Sequence, residues 1–340
     1  MSAVTQVVET AIGCVIPSCI EFGSSMRIAT SLGSPSVTQS PCVNRDVEDI
    51  ARTARESIRF FLAELSIECV PYTQDPALEA QVASATRCWP DRERLAPHIR
   101  TGIVIAATAY AHNSLATRTL IALYTAIGVA LDEPDILESA NAIGFHHSLC
   151  TETSERPSAI LDEWRRILAR MWDHFPRFGA SCILTSTLQF LNMTMLENET
   201  KGKVLNRTAM PFVEYRRMTD GFPEVYTAFI WEKGRFPDVQ VYMQAIPNAM
   251  RFINFGNDIL SFYKEEAAGE TGTYIHDRAR LTGLSSVETL REVVEETVSA
   301  WRQVCEILGE GIARDAWNSF VRGYVTFHVH NPRYRLSELL

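Results

Sequence analysis

The feature that most constrains this chain is the regular interruption of helix-period apolar segments by proline and glycine. From Asp46 onward apolar residues recur at i, i+3 and i+4, beginning with DVEDIARTARESIRFFLAELSI behind Asn44, a residue suited to cap a helix. The same spacing predicts helices over 98–112, 114–131, 136–150, 158–173, 178–199, 206–219, 239–267, 286–307 and 311–330. The expected breaks fall at Pro97, Pro134, Pro157, Pro176, Pro223, Pro237, Gly269 and Gly309. Proline lacks the N–H a helix needs, and glycine readily takes the left-handed turn that ends one. No alternating strands joined by Asn-Gly or Asp-Gly turns occur, and no internal repeat is present. The reading is all-α. Residues 45–340 form one helical domain without an internal linker, although 340 residues would also allow about two domains at ~150 residues each. Residues 1–44, rich in Ser, Thr, Gly and Pro, read as a partly ordered arm.

Charge and cysteine usage exclude several functions. Lys and Arg total 32 against 41 Asp and Glu, a net charge of −9. Nucleic-acid binding through phosphate neutralisation is not supported, whereas concentration of cations is compatible. The longest apolar stretch, Ile103 to Ala111, falls far short of the ~20 residues of a membrane-spanning helix. The N-terminal MSAVTQVVETAIGCVIPSCIEF has no basic residue ahead of its apolar part, so a secretory signal is not expected and the location is read as cytoplasmic. The eight cysteines include no C-x-x-C pair, against zinc ribbons and redox motifs. His146-His147 and His328-x-His330 lack zinc-site context and offer little chemistry. Gly309-Glu310-Gly311 is no dinucleotide fingerprint, and neither a Walker sequence nor G-x-S-x-G occurs.

The segment Asn257-Asp258-Ile259-Leu260-Ser261-Phe262-Tyr263-Lys264-Glu265 carries more chemistry. At ~100° per residue, Asn257, Ser261 and Glu265 share one helix face. They offer an amide oxygen, a hydroxyl and a carboxylate, the hard donors that Mg²⁺ prefers. A polar helix face fits the same spacing, but the apolar neighbours Phe255, Ile259, Leu260 and Phe262 put the stripe in a buried helix, where Asn and Ser need partners. Leu131-Asp132-Glu133-Pro134-Asp135 ends an apolar helix with acidic groups where the helix dipole disfavours them. A cation would relieve that repulsion, and a solvated turn between helices is the alternative. Basic groups stand at Arg216-Arg217, ahead of Asp220 and Gly221, at Lys264, and at Arg333-Tyr334-Arg335.

Two acidic metal patches with scattered Arg, Lys and Tyr donors resemble the diphosphate receptor of class I terpene cyclases. The closer resemblance is to fungal sesquiterpene cyclases of the trichodiene-synthase type. Their second metal motif, N-D-x-x-S-x-x-K-E, is complete here, and the likeness runs from about Asp132 to Arg335. It implies a helical bundle around an apolar cavity and Mg²⁺-dependent ionisation of a prenyl diphosphate, with farnesyl diphosphate the expected substrate. Three Mg²⁺ ions are implied, with Asp132 bridging two and Asn257, Ser261 and Glu265 holding the third. Arg217, Lys264, Arg333 and Tyr334 would bind diphosphate, with Asp220 as linker and Gly221 as effector at a helix break. Tyr124, Phe190 and Phe327 are expected to line the pocket. Two departures stand out. The aspartate-rich motif reads Asp132-Glu133-Pro134-Asp135, which leaves the parts of Glu133 and Asp135 open. Asn331-Pro332 replaces the family's Asp-Arg before Arg-Tyr-Arg. Both imply a relative with its own product. The competing readings are a silent isoprenoid-diphosphate binder, a helical scaffold, and a prenyl diphosphate synthase, which normally carries two aspartate-rich motifs. A homodimer is left open.

Overall fold

The structure is a computed structural model that describes residues 41–68, 71–150 and 158–340. Residues 1–40 of the expected arm, and Pro157, lie outside them. Among the described residues there are helices and short 3₁₀ turns but no strand. In order the helices are α1 (Pro41–Glu64), α2 (Pro76–Ala85), α3 (Arg92–Thr108), α4 (Leu115–Leu131), α5 (Pro134–Ser139), α6 (Phe145–Cys150) and α7 (Ala159–His174). They continue with α8 (Arg177–Thr200), α9 (Met210–Thr219), α10 (Pro223–Ala228), α11 (Ile246–Ala268), α12 (Tyr274–Thr282), α13 (Ser286–Leu308) and α14 (Ile312–His330).

Two helices form the interior. α4 is apolar nearly all round, as a helix must be when neighbours cover every face. It packs against α2, α3, α5 and α7. Its start is fixed by Ser114, whose hydroxyl accepts from the Thr117 N–H. α11 packs against α1, α9, α10, α13 and α14 and buries polar residues among its apolar ones: Asn254, Asp258, Ser261 and Glu265. α3 lies between α4 and α14. A Cβ on Gly102 would stand 2.2 Å from the Ala122 carbonyl oxygen, and one on Gly323 would stand 1.9 Å from that of Thr108. Both crossings bring backbone onto backbone, which only glycine permits.

Several expected boundaries differ. Pro97 sits inside α3 rather than ending a helix. The carbonyl that loses its partner belongs to Glu93, which is exposed, so water can serve it. α1 is already helical at Pro41, ahead of the expected start behind Asn44. The predicted 136–150 helix is divided by Asn141, which takes a left-handed conformation (φ 52°) between α5 and a 3₁₀ turn at Ala142–Gly144. The predicted 239–267 helix starts only at Ile246, because Pro247 favours the first turn. Residues 239–241 and 243–245 form 3₁₀ turns instead. α2, α10 and α12 were not marked by periodicity.

Candidate active site

Asp132 caps the C-terminus of α4. Its side chain is water-accessible, yet the protein around it is dense enough to push its pKa up to about 6, with the Asp220 carboxylate adding to the burial effect. Arg333 and Lys264 act on Asp132 in the opposite direction, so α4, α11, the α9–α10 break and the C-terminal turn all come within electrostatic reach of one carboxylate. Glu133 turns toward α3, with Oε1 3.4 Å from His98 Nε2. Burial, Arg333 and Arg94 hold His98 down to about 4, so the contact involves a neutral imidazole. Asp135 is exposed in the first turn of α5, where a carboxylate favours the helix dipole.

On α11 the expected stripe is inward-facing. Ser261 is 2% accessible and Glu265 9%. The Ser261 hydroxyl is buried without a hydrogen-bond partner. An unpaired buried hydroxyl costs roughly 1–3 kcal/mol, so a ligand is the natural occupant of that direction. Glu265 Oε1 is 3.3 Å from Lys264 Nζ. The Asn257 amide meets Arg217 Nη2 at 3.4 Å through Oδ1 and His328 Nε2 at 3.2 Å through Nδ2. Tyr334, on the 3₁₀ turn Pro332–Tyr334, is buried beside Asn257 and Glu265. Arg333 stands 5.8 Å over the Tyr334 ring. Among the described residues no three His, Cys, Asp or Glu side chains gather tightly enough to hold a metal unaided. The donor set therefore fits a hard cation whose remaining positions are filled by ligand oxygens or water.

Arg217 ends α9 with its guanidinium clamped. Nε donates to Asp258 Oδ2 at 2.9 Å and Nη2 to the Asn254 carbonyl at 2.7 Å, while Asn254 Nδ2 donates back to the Arg217 carbonyl at 2.6 Å. Burial opposes its charge, but Asp258 and Asp220 outweigh that and hold it ionised. Burial outweighs Arg217 at Asp258, whose pKa rises to about 6. After α9 the chain breaks. Gly221 (φ 72°) and Phe222 (φ 57°) are both left-handed, and Pro223 starts α10. A Cβ on Gly221 would stand 3.2 Å from Arg217 Nη1, so the glycine serves both the turn and the guanidinium. Phe222 carries the strain of a left-handed bulky residue, about 1–3 kcal/mol, and is held by stacking on Phe190 at 3.9 Å.

The three expected pocket aromatics are packed rather than open. Tyr124 is fully buried, with its hydroxyl 2.7 Å from Thr187 Oγ1 and its ring against Trp164, Phe222 and Phe229. Phe190 is 2% accessible, and Phe327 lies against Tyr334 and His328. Tyr226 is only partly covered and within reach of Asp132 and Tyr334. Sequence reasoning also missed Asn254, Asp258, Glu197 and His328. Asn254 and Asp258 belong to the same inward face as Ser261 and Glu265, a signal that i, i+4, i+7 and i+11 counting would have found. Glu197, in the last turn of α8, faces Arg216 at 3.5 Å. Burial, with Asp220 and Asp132 nearby, pushes its pKa up to about 7. His328, set aside for lack of zinc context, is 1% accessible and contacts Asn257.

The arrangement is that of an all-α terpene synthase. It matches linalool/nerolidol synthase from Streptomyces clavuligerus, solved with 2-fluorogeranyl diphosphate, with a TM-score of 0.52 over 78% of this chain and 98% of that one, at 16% identity. Residues 71–340 match the family model described as trichodiene synthase (TRI5), and the chain belongs to that family. It is 45% identical over 287 residues to Monoterpene synthase 25 of Postia placenta, covering 84% of this chain and 86% of the relative. It is 34% identical over 269 residues to Terpene synthase BipA of Cochliobolus sativus, covering 77% and 82%. The protein is accordingly an enzyme of the terpene synthase class, acting on prenyl diphosphates. Among the described residues no helix is long and apolar enough to cross a membrane.

Proposed function

We propose that the enzyme ionises farnesyl diphosphate with Mg²⁺ and directs the resulting cation to a cyclic sesquiterpene hydrocarbon or alcohol. The carrying observation is the Ser261 hydroxyl, buried and unpaired between Asn257 and Glu265 on one inward face. Asn257, Ser261 and Glu265 would hold one ion, and Asp132 would hold two more, completing the three-ion set. Bound there, the ions supply Lewis-acid neutralisation of the diphosphate leaving group.

The chain's own groups do the rest. Arg217, Lys264, Arg333 and Tyr334 donate hydrogen bonds to the diphosphate, and charge-assisted donors of this kind are roughly twice as strong as neutral ones. Asp258 and Asn254 aim Arg217, leaving Nη1 beside Gly221 to meet the anion. The Tyr226 ring, partly covered near Asp132, offers a face that stabilises a passing cation by ~0.5–2 kcal/mol. Glu133, bonded toward His98, and exposed Asp135 support the turn that carries Asp132 rather than the ions themselves.

The test is incubation of purified protein with farnesyl diphosphate and Mg²⁺, with volatiles separated by gas chromatography and mass spectrometry. A cyclic C15 product that vanishes with a chelator supports the reading; diphosphate binding without product refutes it. Geranyl diphosphate is the second substrate to assay, because the relative from Postia placenta bears the name of a monoterpene synthase. A product from that substrate alone would move the reading to C10 chemistry.

A further inference from the structure

Asn257 has an ambiguity that Ser261 and Glu265 lack. The two ends of its amide have nearly the same shape, and only one can face a cation. An NH₂ group turned to Mg²⁺ would replace attraction by repulsion, so something must choose the orientation.

Arg217, whose Nη2 can only donate, favours the oxygen end, Tyr334 also bonds the amide, and α14 addresses the NH₂ end. His328 is buried at 1% accessibility. Its Nδ1 lies 2.8 Å from the Tyr324 carbonyl oxygen. A carbonyl only accepts, so Nδ1 carries the hydrogen and Nε2 of the neutral ring carries a lone pair. Nε2 is 3.2 Å from Asn257 Nδ2, and a lone pair there takes only the NH₂ end. Oδ1 is thereby turned away, toward Arg217 Nη2 at 3.4 Å. The imidazole is itself held in place. It lies between the rings of Tyr324 and Tyr334, at 4.4 and 4.5 Å. The Tyr324 hydroxyl donates to the Ile253 carbonyl at 2.7 Å, one turn ahead of Asn257 on α11. The brace is therefore closed: α11 to Tyr324, Tyr324 to His328, His328 back to α11.

We infer that His328 is a positioning residue that locks the Asn257 amide with its oxygen toward the cation held by Asn257, Ser261 and Glu265. The inference rests on the metal site of the proposed function. Its role is exerted through Asn257, without contact with substrate.

The test compares His328→Phe, which fills the ring volume but accepts nothing, with His328→Gln, whose amide oxygen can accept from Asn257. Mg²⁺ binding in the presence of inorganic diphosphate is measured by titration calorimetry, and the Mg²⁺ concentration for half-maximal turnover is measured separately. The Phe variant should need about tenfold or more Mg²⁺ for binding, the range of a lost partner behind a metal ligand, while thermal unfolding stays near wild type. The Gln variant should recover most of the affinity. In an Asn257→Asp background, where both ends of the side chain are oxygens, His328→Phe should shift Mg²⁺ affinity little. If His328→Phe does not fold, His328→Ala takes its place. Wild-type Mg²⁺ affinity in the Phe or Ala variant, Gln no better than Phe, or an equal shift in the Asp background overturns the inference. Wild-type protein that binds Mg²⁺ in a His328-dependent way but forms no product overturns the catalytic reading and leaves the positioning role standing. Wild-type protein that binds no Mg²⁺ overturns both.

Discussion

Replacing Asp258 by Asn should make the metal-free protein more stable and the enzyme less active. Asp258 is 7% accessible and pairs with Arg217, an arrangement in which removal of one charge usually costs about 3–5 kcal/mol. Two features reverse that expectation. Arg217 would not be orphaned, because Asp220 and the Asn254 carbonyl still serve it. Asp258 itself is held at about 6 in the fold, against an ordinary 3.8, so burial already outweighs the pair. A carboxyl raised that far binds its proton more tightly in the folded state than in the unfolded one. The stability it supports is complete below the unfolded pKa and is lost as pH rises through the folded one. At neutral pH the ionised form therefore costs on the order of 2–3 kcal/mol relative to a neutral isostere. Thermal or urea unfolding with chelator present should show Asp258→Asn more stable by about that amount near pH 7.5, and equal to wild type near pH 4. Turnover should fall at the same time, because an amide grips the guanidinium less firmly than a carboxylate does. A variant that is less stable at neutral pH would show that the Arg217 pair, not burial, controls this carboxylate, and the electrostatic account of the site would fail.

Ser261→Ala removes a hydroxyl with no protein partner, so unfolding free energy should be unchanged or slightly higher while Mg²⁺-dependent turnover drops about tenfold or more; a large loss of stability would mean the hydroxyl has an internal partner. Stabilisation of the protein by Mg²⁺ with inorganic diphosphate should grow between about pH 5.5 and 7.5, as Asp132 (about 6) and Glu197 (about 7) release the protons that compete with cations. A melting-temperature gain independent of pH would remove those carboxylates from the site. Gly323→Ala should lose more than about 3 kcal/mol or fail to fold, since its Cβ would stand 1.9 Å from the Thr108 oxygen; ordinary yield and stability would show that α14 and α3 can separate.

The sequence made the long helices and the Asn257 stripe legible because each repeats at helical spacing over many residues. α4 and α13 were readable for that reason, and Asp132 followed from the end of α4. The short α2, α10 and α12 were not, since a helix of two or three turns leaves too few apolar repeats to count. Pro97 misled because a missing hydrogen bond is cheap where the abandoned carbonyl faces water. The left-handed Phe222 was hidden for another reason. Its conformation is sustained by a ring from α8 that is distant in sequence, and only the Gly-Phe-Pro run hinted at a sharp turn. Tyr124 was expected to line the pocket because it lies a turn or two of helix from Asp132, and Phe190 for its residue type, whereas their exposure depends on which rings lie opposite, and periodicity does not encode that. His328 was set aside because its value lies in a lone pair aimed at a neighbour, while motif reading looks for coordinating clusters.

The glycine crossings of α3 also bear on movement. Backbones in direct contact at Gly102 and Gly323 cannot slide without collision, so α3, α4 and α14 behave as one plate, with Asp132 at its rim and His328 within it. The other side of the site is fixed by different means: Arg217 is tied to α11 through Asp258 and Asn254, and the turn at Gly221 and Phe222 beside it is pinned by the Phe190 ring. Substrate capture should then resemble a key meeting a preset lock: the arginine and the oriented asparagine are tied to one helix, α11, while the aspartate waits at the rim of the plate.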